Sequence, residues 1–530
     1  MKKIINNRIF TIYVVIIIIM GANSCKHVTR NSEKNFISTR SIPATRGKIL
    51  SDDGSVLATN IRKFEIRMDF DCPSFNHKAF YENLDSLSQG LSNLFLDKNQ
   101  GEYKTLLLAG YEKKERYYLI NNHLTPKQLA LAYTLPFYRL GELQAGLVIE
   151  EKGKRAYPYS GLARRSIGSF HSGGKALVGL EGSFDDVLSG EPGLEKYEKY
   201  YDKEESCWKI NKIESPDNKE VEHGLDVLTT INMEIQEVSD KHLREALLKT
   251  NADWGSVALM RVSSGDIKAI ANLWTSVSGE YGEFYNYAIG QTLHPKDLFL
   301  PFSLMAALKD DLIEPGEISL QSSARIAGEI ESLYNGKENE FIISLKDMGV
   351  FNKTMKEESS PYYKTPSDRL WSANSLLYTI NGREVSLTPL QVLALYNSIA
   401  NKGFYVKPKL VKAFFKDDKI VKQFINQIRE ISILSQNHQF ILGMLSQNST
   451  SHGTDTLDFL IKSTRITKGL KKEEVTEVCV GFFPADEPVY SIIVVVHNPA
   501  IIDKEKFIVE EIFYKIFKNL QPTKLQPKSG

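Results

Sequence analysis

The stretch that most constrains this chain is Asn286–Leu308, NYAIGQTLHPKDLFLPFSLMAAL. From Phe299 onward, Phe299, Phe302, Leu304, Met305, Ala306 and Leu308 form an apolar face broader than the stripe of a surface helix. A helix of this kind has to be buried on most sides, so it predicts a large domain built around it. Pro295 just before the helix and Pro301 in its first turn suit a helix start, where a missing backbone N–H costs little. The passage reads as a strand-to-helix transition at the centre of an enzyme-like domain.

At 530 residues the chain has room for several domains. Its 66 basic and 65 acidic residues leave a net charge of +1, which gives no reason to expect a nucleic-acid partner. The cysteines, Cys25, Cys72, Cys207 and Cys479, form no CxxC pair, so neither a disulfide framework nor a zinc site is expected, and no cofactor. Cys479, within VCVGFF, reads as a core residue.

Residues 1–25 read as a targeting segment. Lys2, Lys3 and Arg8 precede the apolar run Ile9–Ala22, about 14 residues against the ~20 of a spanning helix. The run ends in Ala22-Asn23-Ser24-Cys25, which resembles a bacterial lipobox with Cys25 as the lipidated residue. An uncleaved signal anchor is the rival reading. Both place the rest of the chain outside the inner membrane, tethered at its N-terminus with the globular part in the periplasm.

The expected organisation is a linker at 26–43, a first domain at 44–222 ending in a charged hinge from 194, a second domain at 223–515, and a tail at 516–530. Asp52-Asp53-Gly54 marks a turn between two short extended runs, a hairpin. Gly224–Leu247 reads as a short strand entering an amphipathic helix capped by Asn232, and Asn251–Asn272 as two antiparallel strands.

These blocks carry a resemblance to class B penicillin-binding proteins, and particularly to the division-specific D,D-transpeptidase of the FtsI type. Ala44–Asn60 is similar to the family's RGxIxDxxGxxLA signature, Tyr157–Phe170 to its second pedestal motif, and GLEGSFDDVLSGEPG (Gly179–Gly193) to its third. Leu387–Gln391 resembles the family's TPLQ helix start, and Glu477–Pro499 its last two strands. The resemblance implies an α/β (α+β) fold: an antiparallel sheet with helices on both faces, preceded by an elongated pedestal. It implies structural, interdomain roles for Arg46, Gly179, Glu181 and Gly182.

The family's chemistry needs Ser-x-x-Lys, Ser-x-Asn and Lys-Thr-Gly to supply an activated hydroxyl, a base and oxyanion donors. In register with the first motif stand Asp297 and Leu300 in place of serine and lysine. The second falls on Ser322, with Ala324 in place of asparagine. The third falls on Lys462, Ser463 and Thr464, followed by Arg465. Literal strings elsewhere, Ser172–Lys175, Ser206–Lys209 and Ser372-Ala373-Asn374, read as coincidence. Three altered motifs between matching structural blocks imply a retained fold with lost catalysis, and Asp297 is expected to pair with Lys462. The alternative is a transpeptidase or carboxypeptidase with a rearranged site using Ser303 or Ser322, although neither has a lysine three residues on. The resemblance implies partners among division or elongation wall-synthesis proteins, such as a lipid-II polymerase or an active paralogue, and a peptidoglycan stem peptide as a ligand.

Overall fold

The structure, a computed structural model, describes residues 36–170, 176, 178–202, 207–276, 279–318, 322–446, 459–468, 474–503 and 506–521. The targeting segment with Cys25 lies outside these residues, as do Ser172, Lys175 and Ser206.

The N-terminal half contributes strands β1 (Phe36–Ile42), β2 (Ile49–Leu50), β3 (Val56–Ile61), β4 (Phe64–Met68), β5 (Tyr118–Leu124), β6 (Leu147–Glu151), β7 (Lys154–Ala156), β8 (Gly193–Asp202) and β9 (Cys207–Ile213). Helices α1 (His77–Phe95) and α2 (Gln100–Glu112) cover the three-stranded sheet β5-β4-β6. Asn76 and Asn99 cap these helices, the second in a reciprocal box with Glu102. Their apolar faces bury Phe80, Leu87, Leu91 and Leu107 against Phe70 and Ile120.

Two expectations fail here. Phe36–Ile42 is no linker: it pairs antiparallel with β8 from Phe36↔Lys199 to Ile42↔Gly193. The charged segment from 194 is no irregular hinge but largely the β8–β9 hairpin. Its Lys and Glu content disguises it, yet those charges pair across and beside the strands, as Lys212 does with Glu195 and Lys196 with Asp217.

The expected border at 222/223 is crossed by a sheet. β10 (Asp226–Thr229), β17 (Val411–Lys416) and β18 (Lys419–Gln423) join β2, β3 and β7 in the order β18-β17-β10-β2-β3-β7. β10 runs parallel to β2, with Val227 opposite Ile49. A two-residue strand such as β2 cannot stand as an isolated hairpin and recruits neighbours from the later chain.

The second domain is built on the antiparallel sheet β13-β12-β11-β22-β21-β20, formed by β11 (Trp254–Arg261), β12 (Ile267–Thr275), β13 (Tyr281–Gly282), β20 (Leu460–Lys468), β21 (Glu474–Phe483) and β22 (Tyr490–His497). The short pairs β14 (Tyr362–Tyr363) with β15 (Val385–Ser386), and β16 (Phe404–Val406) with β19 (Ile428–Glu430), lie outside it. Further helices are α3 (Gly179–Ser183), α4 (Met233–Thr250), α5 (Leu300–Lys309), α6 (Ser323–Tyr334), α7 (Pro389–Ala400) and α8 (Ile508–Leu520).

Alternate residues of the central strands enter two cores. Val257, Leu259, Cys479 and Val494 pack with α4 and α8, whereas Ala258, Met260, Val478 and Ile493 pack with α5 and α7. Helices on both faces are what the resemblance implied. α8 continues to Leu520 with Ile516 and Phe517 in the core, so the tail expected from 516 begins later. Asn232 caps α4 as expected, accepting from the Ile235 N–H at 3.0 Å. The buried Gln236 amide then holds the main chain of Ile270 on β12, accepting from its N–H at 2.8 Å and donating to its carbonyl at 3.3 Å.

Candidate functional site

The buried helix predicted from Phe299 is α5, and Leu300 through Leu308 are all buried. A single 3-10 turn, Lys296–Leu298, leads into it. Behind the turn the main chain of Gly382 comes close: a Cβ there would meet Lys296 O at 2.8 Å and Lys296 N at 2.9 Å. Lys296 itself has φ +47°, and its Nζ donates to the carbonyl of Arg465 on β20 at 2.8 Å. The start of α5 and edge strand β20 therefore face each other.

Asp297 is solvent-exposed on this turn. Leu300, one helical turn on, has no exposed surface. A core side chain without a polar atom therefore stands at the position where the resemblance leads one to expect a lysine. Ser303 is equally buried, and its Oγ donates to the Ile380 carbonyl at 2.9 Å, a core hydrogen bond.

On β20, Lys462 is 5% exposed and its Nζ has no hydrogen-bond partner among the described residues. Burial pulls its pKa below the usual lysine range, while the Asp297 carboxylate pulls the other way. The expected Asp297–Lys462 ion pair is not formed: the carboxylate stays in water and the ammonium stays under the sheet edge. Ser463 pairs in register with Cys479, whose side chain lies in the core on the face away from α5, so its hydroxyl does not join Asp297. Thr464 is buried. Arg465 binds Glu477 at 2.8 Å and the Lys506 carbonyl at 2.7 Å, with its guanidinium 4.6 Å from the Phe507 ring centre.

The second motif is elsewhere. Ser322 is the exposed N-cap of α6 and accepts from the Arg325 N–H at 3.3 Å; Ala324 is exposed in the first turn. Ser372 and Ala373 lie before a short helix, Ser375–Ile380, and line a different cavity of about 600 Å³ with Glu331, Asn335 and Trp371. Of the sequence-predicted positions, only those of the first and third motifs are brought together, and no hydroxyl among the described residues is hydrogen-bonded to Lys462 Nζ.

The pedestal motifs converge on a buried carboxylate. Glu181, with no exposed surface, takes Arg46 Nε at 2.8 Å on one oxygen and Arg155 Nε at 2.7 Å on the other. Arg46 also binds Asp185 at 2.6 Å and Ser189 at 2.7 Å. All these partners lie within the pedestal, so Arg46 and Glu181 tie the motifs to one another and not one domain to the next. Gly179 (φ +63°) has the same local role, since a Cβ there would meet Ser166 O at 2.6 Å. Gly182, with Gly179, lines a cavity at the domain junction.

The junction is held by residues that the sequence did not single out. Asp52 is gripped by Lys268 and Lys412. Glu283 accepts from the Arg165 N–H at 3.0 Å and the Asn272 N–H at 3.1 Å. Ser183 donates to Glu357 at 2.7 Å. Asp52 reads as an ordinary turn residue, and nothing local in the sequence marks the others.

No group of residues among those described has the arrangement of a metal site. No helix among them is long and apolar enough to cross a membrane.

The penicillin-binding protein dimerisation domain matches residues 41–223, and the penicillin-binding protein transpeptidase domain matches residues 344–518. The chain is 25% identical over 291 residues to the probable peptidoglycan D,D-transpeptidase PenA of Neisseria gonorrhoeae, covering 53% of this chain and 46% of that one. It is 24% identical over 303 residues to the peptidoglycan D,D-transpeptidase FtsI of Buchnera aphidicola, covering 50% of this chain and 51% of the relative. The chain thus spans about half the length of these curated relatives. Penicillin binding protein 2X from Streptococcus thermophilus superposes with a TM-score of 0.71 at 17% identity, over 91% of this chain and 79% of that one, a likeness of fold. The two domains in this order, on this sheet and this pedestal, make the chain a member of the class B penicillin-binding proteins.

Proposed function

We propose that this chain acts in peptidoglycan synthesis and cell division as a non-catalytic scaffold or regulator of a wall-synthesis complex, tethered to the membrane by residues 1–25 with its folded part in the periplasm. The observation that carries this reading is the pair at the head of α5. An exposed carboxylate, Asp297, stands where the family's nucleophile belongs, and a fully buried Leu300 where its lysine belongs. A carboxylate attacking a peptide would give an anhydride and not the ester from which a transpeptidase transfers its acyl group. Leu300 can neither accept the nucleophile's proton nor lower its pKa. Lys462 has no hydroxyl hydrogen-bonded to its Nζ among the described residues.

The pedestal supports the scaffold role. Its buried Glu181 pairs with both Arg46 and Arg155, so the surface that the family presents to partners has an ordered base. The partner class is other division or elongation wall-synthesis proteins, including a lipid-II polymerase or an active paralogue. A stem peptide bound without turnover belongs to the same reading.

The test is the intact mass of the purified full chain after incubation with a reactive β-lactam, beside a catalytic homologue that labels fully. No adduct is expected. A single stoichiometric adduct would overturn the proposal, and peptide mapping would name the acylated residue.

A further inference from the structure

Strand β18 is the outer strand of the six-stranded sheet β18-β17-β10-β2-β3-β7, and each of its residues from Lys419 to Gln423 is exposed. Its neighbour β17 buries Val411, Ala413 and Phe414. β18 projects beyond that core on a tight turn. Asp417 and Asp418 have φ +49° and +61°, and Lys416 stands opposite Lys419. Two positive φ values in a two-residue loop are those of a type I′ hairpin, whose twist matches that of its strands. The turn and β17 therefore hold β18 extended in advance of any partner.

On its outer side β18 has no neighbouring strand among the described residues. A row of main-chain donors and acceptors of this kind is a template for one more strand. The outer edge of the other six-stranded sheet differs, because on β20 the Lys296 ammonium takes the Arg465 carbonyl. The side chains of β18 and the segment after it select among possible strands. Ile420, Val421, Ile425 and Ile428 are each more than half exposed, a run of β-branched apolar residues where isolated ones would be ordinary. Lys419 and Lys422 flank the first two, and the Lys422 ammonium lies 5.1 Å from the Phe424 ring centre. The carboxylates Asp417 and Asp418 sit in the turn, off the end of the strand. A second copy of β18 laid alongside would bring four lysines together, and pairing Ile420 with Val421 would set Lys419 against Lys422, which destabilises a ladder. An acidic strand meets both lysines with opposite charge.

We infer that β18 docks an extended segment of a partner protein with β-branched apolar residues at its centre and a carboxylate on either side. The segment adds a seventh strand to the sheet, its apolar pair against Ile420 and Val421 and its carboxylates opposite Lys419 and Lys422. Main-chain hydrogen bonds supply the affinity and the flanking charges the selectivity. The same sheet reaches β2, β3 and β7 in the pedestal, so the added strand extends a structure that both domains build. The inference goes beyond the scaffold reading and holds whether or not the α5 cleft is catalytic.

The experiment is fluorescence anisotropy of a labelled peptide, acetyl-Ser-Thr-Glu-Val-Ile-Glu-Thr-amide, titrated with the purified full chain. It is expected to bind about ten-fold or more tighter than the same peptide with lysine in place of both glutamates, and to weaken as salt is added. N-methylation of its valine and isoleucine keeps the side chains, removes a main-chain donor in either register, and should abolish binding. Lys419→Glu combined with Lys422→Glu should reverse the preference toward the lysine peptide, whereas Lys356→Glu, at an exposed lysine elsewhere, should change nothing. If the double variant fails to fold, the three peptides against the unaltered chain carry the same comparison. No binding of the glutamate peptide at millimolar concentration, equal binding of the two charged forms, or binding that survives N-methylation would overturn the assignment. Self-association of the free chain in sedimentation, dissolved by Val421→Asp, would give the edge to a second copy and overturn it as well.

Discussion

Lys296 reaches from the head of α5 to edge strand β20, where its Nζ donates to the carbonyl of Arg465 at 2.8 Å. It does so from a left-handed backbone, φ +47°. The side chain takes up a main-chain carbonyl on the outermost strand of the sheet.

Lys296→Ala and Lys296→Gly separate the two effects. Both lose the hydrogen bond, a net loss of about 1 kcal/mol. Only glycine also relieves the left-handed backbone, a gain of about 1 kcal/mol. The glycine variant is therefore expected to be the more stable of the two by about 1 kcal/mol in urea unfolding. Equal stabilities would show that the turn relaxes without Lys296.

Lys462 predicts a stabilising substitution. Its ammonium is buried without a hydrogen-bond partner among the described residues, and burial lowers its pKa. A depressed folded pKa means that the unfolded chain binds the proton more tightly, so wild-type stability rises as pH climbs from the folded pKa toward 10.5. Lys462→Met should stabilise the protein at pH 7 by on the order of 1 kcal/mol. The advantage should shrink in alkaline buffer, which denaturation at pH 7 and pH 10 would read.

Removing Glu181 should be severe. Glu181→Ala leaves Arg155 as an uncompensated buried cation and Arg46 with Asp185 as its remaining carboxylate, at a cost of about 3–5 kcal/mol. Because Gly179 seats the same helix against Ser166, the second and third motifs should loosen together. Hydrogen exchange of residues 157–190 would rise globally, whereas a merely local effect would stay within α3.

Glu283 makes the domain junction pH-dependent. Burial pushes its pKa up to about 8, against two backbone N–H donors that favour the carboxylate. A raised folded pKa means that the folded state holds the proton more tightly, so this group's contribution is complete at low pH and is lost as pH rises from about 4.5 through about 8. Glu283→Gln should lower stability overall, since its amide nitrogen cannot accept, but flatten that slope. Unfolding midpoints at pH 5, 7 and 8.5 give the comparison; an unchanged slope would assign the pH dependence elsewhere.

Much of this was legible because local patterns and burial agree. The apolar run from Phe299, the Asn232 cap and the Thr388-Pro389-Leu390-Gln391 helix start each carry their own signal, and each forms as expected. Strand β1 and the β8–β9 hairpin were illegible because charged strands look like linkers until their partners are known. Helix α8 runs five residues past the expected border at 515, because Ile516 and Phe517 continue its apolar stripe.

The sequence by itself determined the two-domain plan, the central helix, and the aspartate and leucine, Asp297 and Leu300, at its head, since these depend on residue identity and on periodicities of 2.0 and 3.6. Tertiary structure alone decided that Asp297 and Lys462 remain unpaired, that Ser463 faces the far core, that Arg46 closes the pedestal on itself, and that Lys296 spans the cleft. Each of those is a matter of which face a strand presents and how far a side chain reaches, and both are set by the register of β20 against β21 and by the packing of α5, not by neighbours in the chain.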